Sequence, residues 1–392
     1  MESLIDWHLA VGDEVSVTAA LAFLETEYLR DIPLPGAFPA ALATAQRAAR
    51  HDLAGLTALL EAHPVDWDAA QRRLTASAPI RRLRALVTAQ QNYMFLAQQY
   101  LRAADLYRSR ALYEKARLYF APALAGFRLL YGDRAAMADA LSQTESWLGL
   151  WNHHINRMHA LEARLAITQA EFTHAAADIA AAEAMLTRQA DPVLALGVER
   201  AAEGKEPCDD VGDEPRLAPL ARACDQENSF ATRLLDFSVA RARLDLLTAN
   251  ARDVRSFDQA LILLDLERGR STGWIWPRFR AVDEAEVALR LAHADLLDRL
   301  AGVRAAEATM ESGQAAYDVS VLRSLALAEL ARAAEIARPG QVPTRFRRIA
   351  ARFLEIAAHL PRGDRADPVA AREAAYFRTV PANLDQIALG EP

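Results

Sequence analysis

YEKARLYFAPALAGF, residues 113–127, decides how the chain is read. Tyr113, Ala116, Phe120 and Ala123 fall at i, i+3, i+7 and i+10, which places them on one stripe of an α-helix. Glu114, Lys115 and Arg117 lie between them, on the exposed side. A small residue lets two helix axes approach closely, and a large residue on either side of it fills the remaining space. The stretch therefore predicts the second helix of a two-helix hairpin.

The rest of the chain agrees with a helical reading. Its 392 residues suffice for a large core or several domains. With 52% hydrophobic and 25% charged residues it has the make-up of a folded chain. Only 16 Gly and 17 Pro interrupt it, and Ala, Leu, Arg and Glu, the strongest helix formers, dominate. Alternating β-branched stretches are almost absent, so the fold class is all-α.

Because breakers are few, they divide the chain clearly. DIPLPGAFP (31–39) separates an N-terminal helical pair from the remainder of the chain, and HPVDW (63–67) and SAPI (77–80) end short helices. Long helices are expected over 80–108, 134–169, 217–251 and 280–312. Each is succeeded by a shorter one, over 111–131, 171–189, 254–268 and 315–337. EGKEPCDDVGDEP (203–215), RGRSTGWIWPRFR (268–280) and RPGQVP (338–343) read as loops, and VPANLDQIALGEP at the C-terminus reads as a loosely packed tail. The expected division is an N-terminal helical region (1–78), hairpins (79–337) with an acidic insertion at 203–216, and C-terminal helices with a tail (338–392).

YEKARLYFAPAL resembles the second-helix signature of the tetratricopeptide repeat family. In that register Tyr107 takes the aromatic position of the first helix, Ala104 its small position and Tyr100 the large residue near its start. Two features depart from the family: no Gly-Asp turn precedes Tyr113, and Pro122 interrupts the second helix. The aromatic-x-x-small pattern returns at Phe172/Ala175, Phe257/Ala260 and Tyr317/Ser320, at intervals of 59, 85 and 60 residues. After Phe172 come Ile179 and Ala182 at the same offsets. Glu267 breaks the third stripe, and Ser324 and Leu327 exchange small and large in the fourth. The resemblance implies a right-handed superhelix of hairpins with irregular, long first helices. Its concave face would hold a protein or peptide segment.

By the family's register Gln98, Asp105 and Arg108 would face that concavity, with Arg157 and Arg164 nearby. AQQNYMFLAQQYL (89–101) is rich in amides and suits a wet surface better than a packed core. The expected role is a non-enzymatic scaffold with a protein or peptide partner and no cofactor. The alternative is an all-α enzyme or small-ligand binder with a pocket between the long helices near His154 and Trp151. A purely structural subunit is the third reading. The net charge of −7 argues against sequence-independent nucleic-acid binding. No run reaches the length of a membrane span. No signal peptide is visible at MESLIDWHLAVGDE, so the expected address is cytoplasmic, with an exported form trimmed of its leader as the alternative. Cys208 and Cys224 read as free thiols in the first case and as a disulfide in the second.

Four stretches invite a chemical reading. WLGLWNHHINRMH (147–159) carries His153, His154 and His159, but their spacings do not place two imidazoles on one helical face as a metal site requires. Glu171 and His174 have the Glu-x-x-His spacing of di-iron bundles without a second such motif. DDVGDE (209–214) resembles the aspartate-rich motif of class I terpene synthases, but it lies in a Gly/Pro loop without the second metal motif. Trp274, Trp276 and Phe279 form a loop aromatic group that caps a helical core or offers a partner an anchor. No metal or catalytic residue is assigned, and no phosphate-binding loop or nucleophile elbow occurs.

Overall fold

Every regular element among the described residues of the computed structural model is an α-helix. The structure describes the chain apart from residues 1–4, 6–7, 10–11, 63–66, 132–144, 191, 209–210, 212–213, 227–229, 249–254, 271–276, 308–312, 338–342, 361–367 and 389–392. The chain divides into two compact units, residues 1–8 with 14–147, and residues 9–13 with 148–392.

In the first unit, α1 (Glu14–Tyr28), α2 (Phe38–Ala62) and α3 (Trp67–Ala76) precede the hairpin of α4 (Ala78–Tyr107) and α5 (Arg110–Tyr131). The expected junction at SAPI is where α4 begins. Ser77 accepts a hydrogen bond from the Ile80 amide at 3.2 Å, Pro79 occupies the first turn, and the Ser77 hydroxyl donates to Asp52 Oδ2 at 2.5 Å.

The opening stripe is the hairpin's inner face. Tyr113, Ala116, Phe120 and Ala123 are buried on α5, opposite buried Tyr100 and Ala104 on α4. Gly126 extends the close approach: a β-carbon there would lie 3.0 Å from Phe38 Cε1 and 3.1 Å from Gln90 Cγ. Pro122 does not end the helix, as its sequence position suggests. Proline removes one backbone bond, and the packed stripe on both sides of it holds α5 together through that point.

The second unit opens on α6 (Glu145–Thr173), of which residues 148–173 belong to it, and α7 (Ala176–Gln189). Next come α8 (Pro192–Ala202), α9 (Ala218–Gln226), α10 (Phe230–Thr248) and α11 (Arg255–Arg270). It closes with α12 (Pro277–Glu307), α13 (Gly313–Ala337), α14 (Pro343–Ala357) and α15 (Pro368–Ala388). Its apolar core is serial. Ala163, Ile167, Ala182, Leu186, Ala240 and Leu244 join α6, α7 and α10. Ala242, Phe257, Ala260, Leu264, Leu289 and Leu296 join α10, α11 and α12. Leu297, Leu322, Leu330, Phe346, Phe353 and Phe377 join α12 to α15. These clusters are linked through α10 and α12, and a further cluster of Leu194, Leu220, Phe230 and Leu263 joins α8, α9, α10 and α11.

The repeat pattern fares unevenly. Ala116 and Ala260 are fully buried, as a small contact residue must be. Ala175 is exposed, and Ser320 is only partly buried. The reason at 175 is local. Phe172 belongs to the last turn of α6, His174 takes a left-handed conformation (φ 49°), and Ala175 is the N-cap of α7. The motif therefore straddles the turn. Ala182, which does carry the small-residue contact, lies about two helical turns further on. Tyr317, expected to open the fourth short helix from inside, is 64% exposed.

The acidic insertion is stapled rather than free. Cys208 and Cys224 form a disulfide with a Cα–Cα distance of 5.5 Å, replacing the two-thiol reading. Arg200 Nε donates to the Glu206 carbonyl at 3.0 Å, and Val211 packs with Leu194, Leu220 and Phe230. The expected C-terminal tail is largely helical, since α15 continues through Pro381 to Ala388.

Candidate functional site

Of the five sequence candidates, three lie in the first unit and two in the second. Gln98 and Asp105 are half-buried on α4, and Arg108 is the exposed C-cap of that helix, its backbone at φ 52° and its amide bonded to the Ala104 carbonyl. Arg157 and Arg164 are half-buried on α6, within electrostatic reach of Asp236 on α10.

The amide-rich stretch 89–101 is not a wet face. Gln90 is 5% exposed and donates through Nε2 to the Ala123 carbonyl at 3.2 Å. Gln99 is 7% exposed and accepts from Arg102 at 3.0 Å, and Asn92 Nδ2 donates to the Tyr28 carbonyl at 2.9 Å. Amides bury at low cost when paired: Gln90 and Asn92 tie α4 to its neighbours α5 and α1, and Gln99 is satisfied within α4.

The chemical stretches have structural roles wherever they are described. Glu171 is paired with Arg243 at 2.8 Å, with both side chains nearly buried, and His174 lies in the exposed turn, so the two do not converge on a ligand. His159 Nδ1 lies 3.7 Å from Glu162, and its carbonyl accepts from Gln189 Nε2 at 2.7 Å. The side chains of Trp151, His153, His154 and Phe279, Trp274 and Trp276 altogether, and four of the six positions of DDVGDE lie outside the described residues. Among the described residues no group of three His, Cys, Asp or Glu side chains could hold a metal, and no helix is long and apolar enough to cross a membrane.

A dense titratable cluster lies between α11, α12 and α13. Glu286 is 5% exposed and receives both Arg268 and, at 2.7 Å, Arg290. Arg290 also reaches Glu329 at 2.7 Å, and His293 Nδ1 lies 3.6 Å from Glu329 with its ring 4.3 Å from that of Phe257. Burial pushes the Glu329 carboxyl up, but His293 and Arg290 outweigh it and hold it below the usual carboxylate range. A carboxylate stabilised in this way is a poor proton acceptor. The cluster therefore binds three helices together and does not have the make-up of an acid–base pair.

The feature suited to binding lies between α13, α14 and α15. It is an open cavity of about 460 Å³ lined by Ala331, Ala334, Phe346, Tyr376 and Phe377, with Glu335, Arg372 and Glu373 at its polar edge. The ring centroids of Phe346 and Tyr376 are 6.0 Å apart, edge to face, and those of Phe377 and Phe353 are 4.4 Å apart with the rings tilted by 40°. Tyr376 remains 48% exposed. Sequence reasoning missed this site because Tyr376 and Phe377 stand close to the expected tail. The available signal was the adjacent aromatic pair on a helix-forming stretch, EAAYF (373–377). No family model, curated protein or solved structure matches this chain.

Proposed function

We propose that the chain is a non-enzymatic helical scaffold that binds a protein or peptide segment. The supporting observation is the cavity between α13, α14 and α15, where aromatic side chains and an arginine border an open apolar recess, the composition of interaction hot spots. Its volume would also admit a small ligand. A peptide is favoured because accessible surface continues beyond the cavity along the same face of α13, through Ala328, Ser324, Val321 and Tyr317. The serial core of the second unit supports the same reading, since hairpins that contact mainly their neighbours leave long helical faces available to a partner. The tetratricopeptide-like superhelix stays part of this proposal, as does a partner-binding role for Gln98, Asp105 and Arg108 in the first unit and for Arg157 and Arg164 in the second.

For the compartment, the Cys208–Cys224 bridge favours the exported alternative over the cytoplasmic one, because structural disulfides persist where the surroundings are oxidising.

Affinity capture from native extract, with mass spectrometry of the retained material, tests the scaffold role. A partner retained by the wild-type chain and lost with Tyr376→Ala places binding at the α13–α15 cavity. Loss with Arg108→Glu in folded protein places it on α4 of the first unit, and loss with Arg164→Glu places it on α6 of the second. Absence of any specifically retained protein or peptide would overturn the scaffold reading.

A further inference from the structure

Resting on that scaffold reading, we infer that the α13–α15 cavity receives an amphipathic α-helix from a partner protein, with large apolar residues on one face and Lys or Arg beside them. The cavity supplies the anchor site: Phe346, Tyr376 and Phe377 form an aromatic floor and wall, and Ala331 and Ala334 leave room between α13 and α15.

The outer face of α13 supplies the track. At 100° per residue Tyr317, Val321, Ser324, Ala328, Ala331 and Glu335 share one side of the helix. Tyr317 and Ala328 are exposed, and Val321, Ser324 and Ala331 are half-buried. Tyr317 and Glu335 are therefore about 27 Å apart along the axis, the length of about 18 residues of a partner helix. Large Tyr317 stands at one end, Tyr376 beside the other, and small side chains lie between them, where a partner backbone can approach closely. Recognition of this kind reads residues at i, i+3 or i+4, and i+7.

Charge selects among occupants. Two carboxylates, Glu335 and Glu373, border the recess against one guanidinium, Arg372. That edge suits a basic helix and repels an acidic one. It also disfavours an anionic membrane or a nucleic acid, both of which require a positive surface. A second copy of this chain carries a net charge of −7 and is a poor fit for the same reason.

The test is to pan displayed peptides of about 18 residues on the intact chain, on Tyr376→Ala and on the double variant Glu335→Lys, Glu373→Lys. Tyr376 is exposed enough for its truncation to leave the fold intact, which circular dichroism and melting check. Ala331→Arg, which fills the recess without removing an aromatic, is the second variant. Peptides enriched on the wild-type chain are expected to share the apolar spacing and a positive charge. They should lose at least about tenfold in affinity on Tyr376→Ala or Ala331→Arg, and the double Lys variant should enrich acidic flanks instead. Binders that keep full affinity on both cavity variants, or that show no preference for basic flanks, overturn this inference and leave the scaffold reading standing. A screen that enriches no specific binder on any surface removes both.

Discussion

Tyr100 donates its hydroxyl hydrogen to Glu25 Oε1 at 2.5 Å, and Lys115 Nζ reaches the same oxygen at 3.0 Å. One carboxylate on α1 is thereby bound to both helices of the α4/α5 hairpin. Lys115 also lies 6.0 Å and 5.7 Å from the ring centres of Tyr100 and Tyr119, so the opening stripe's exposed lysine is part of an inter-helix clamp.

This clamp makes the first unit sensitive to acid. Burial pushes the Glu25 carboxyl up, but Tyr100, Tyr119 and Lys115 outweigh it and hold it below its ordinary value. A group whose folded pKa is depressed stabilises the fold above its unfolded value, about 4.3 for Glu. That contribution disappears as pH falls through the folded value. Glu25→Gln should cost about 1–3 kcal/mol at neutral pH, and the difference from wild type should shrink as the pH falls below the ordinary Glu value of about 4.3. Urea melts of both proteins across this range measure it. A pH-independent difference would show that the carboxylate charge has no part in the clamp.

Arg290 joins Glu286 to Glu329 in a nearly buried setting. Removing it leaves Glu286 with Arg268 alone and Glu329 with His293 and the more distant Arg332, so both carboxylates stay partly compensated. Arg290→Met should therefore destabilise by about 1–3 kcal/mol. The triple variant Glu286→Gln, Arg290→Met, Glu329→Gln should recover part of that loss, because the buried charges go together. Chemical denaturation of the two variants decides the matter. A triple variant less stable than the single one would mean that hydrogen-bond geometry, and not uncompensated charge, dominates the cluster.

The disulfide holds the acidic insertion against α9 across a separation of 16 residues. Closing a loop of that size contributes about 3 kcal/mol to whatever folds with it. Reduction should accordingly speed proteolysis within 203–217 and lower the melting temperature. The cores built on α10–α12 and α12–α15 do not include this loop and should keep their helical signal. Peptide mapping without reductant should yield residues 208 and 224 as one linked pair. Free thiols detected by alkylation in carefully unreduced protein would contradict the bridge.

Much of the architecture was legible because hydrophobic periodicity is written locally. Expected helices over 80–108 and 111–131 correspond to α4 (Ala78–Tyr107) and α5 (Arg110–Tyr131), and 315–337 to α13 (Gly313–Ala337). Buried Ala116 and Ala260 obey the same local logic. The errors come from features that the one-dimensional pattern does not encode. Gln90 and Asn92 look polar in sequence, but how far they are buried depends on the distant partners that they reach, here the Ala123 and Tyr28 carbonyls. Phe172-x-x-Ala175 misleads because the turn inside it contains neither Gly nor Pro. Instead Thr173 Oγ1 donates to Asp178 at 2.6 Å and accepts from the Ala175 amide at 3.2 Å, closing the corner with side-chain hydrogen bonds. The α13–α15 cavity showed in the sequence only as the Tyr376–Phe377 pair, because it joins residues 331–335, 346 and 372–377, whose proximity is set by the packing of three helices.

Both sharp corners in these hairpins place an ordinary residue where glycine is the usual choice. Arg108 adopts φ 52° and His174 φ 49°. Left-handed backbone costs an L-residue about 1–2 kcal/mol, whereas glycine adopts it freely but forfeits about 0.5–1 kcal/mol of chain entropy on folding. The balance predicts that Arg108→Gly and His174→Gly each stabilise the protein by up to about 1 kcal/mol. Alanine retains the β-carbon and hence the strain, so Arg108→Ala and His174→Ala should give no gain. The pair of substitutions at each site separates backbone from side chain: glycine and alanine both delete the guanidinium or imidazole, and only glycine relieves the corner. Thermal melts of the four variants supply the comparison. If glycine and alanine prove equally destabilising at position 108, the Arg108 side chain itself holds the α4–α5 corner, and its use as a partner-facing residue would carry a stability cost.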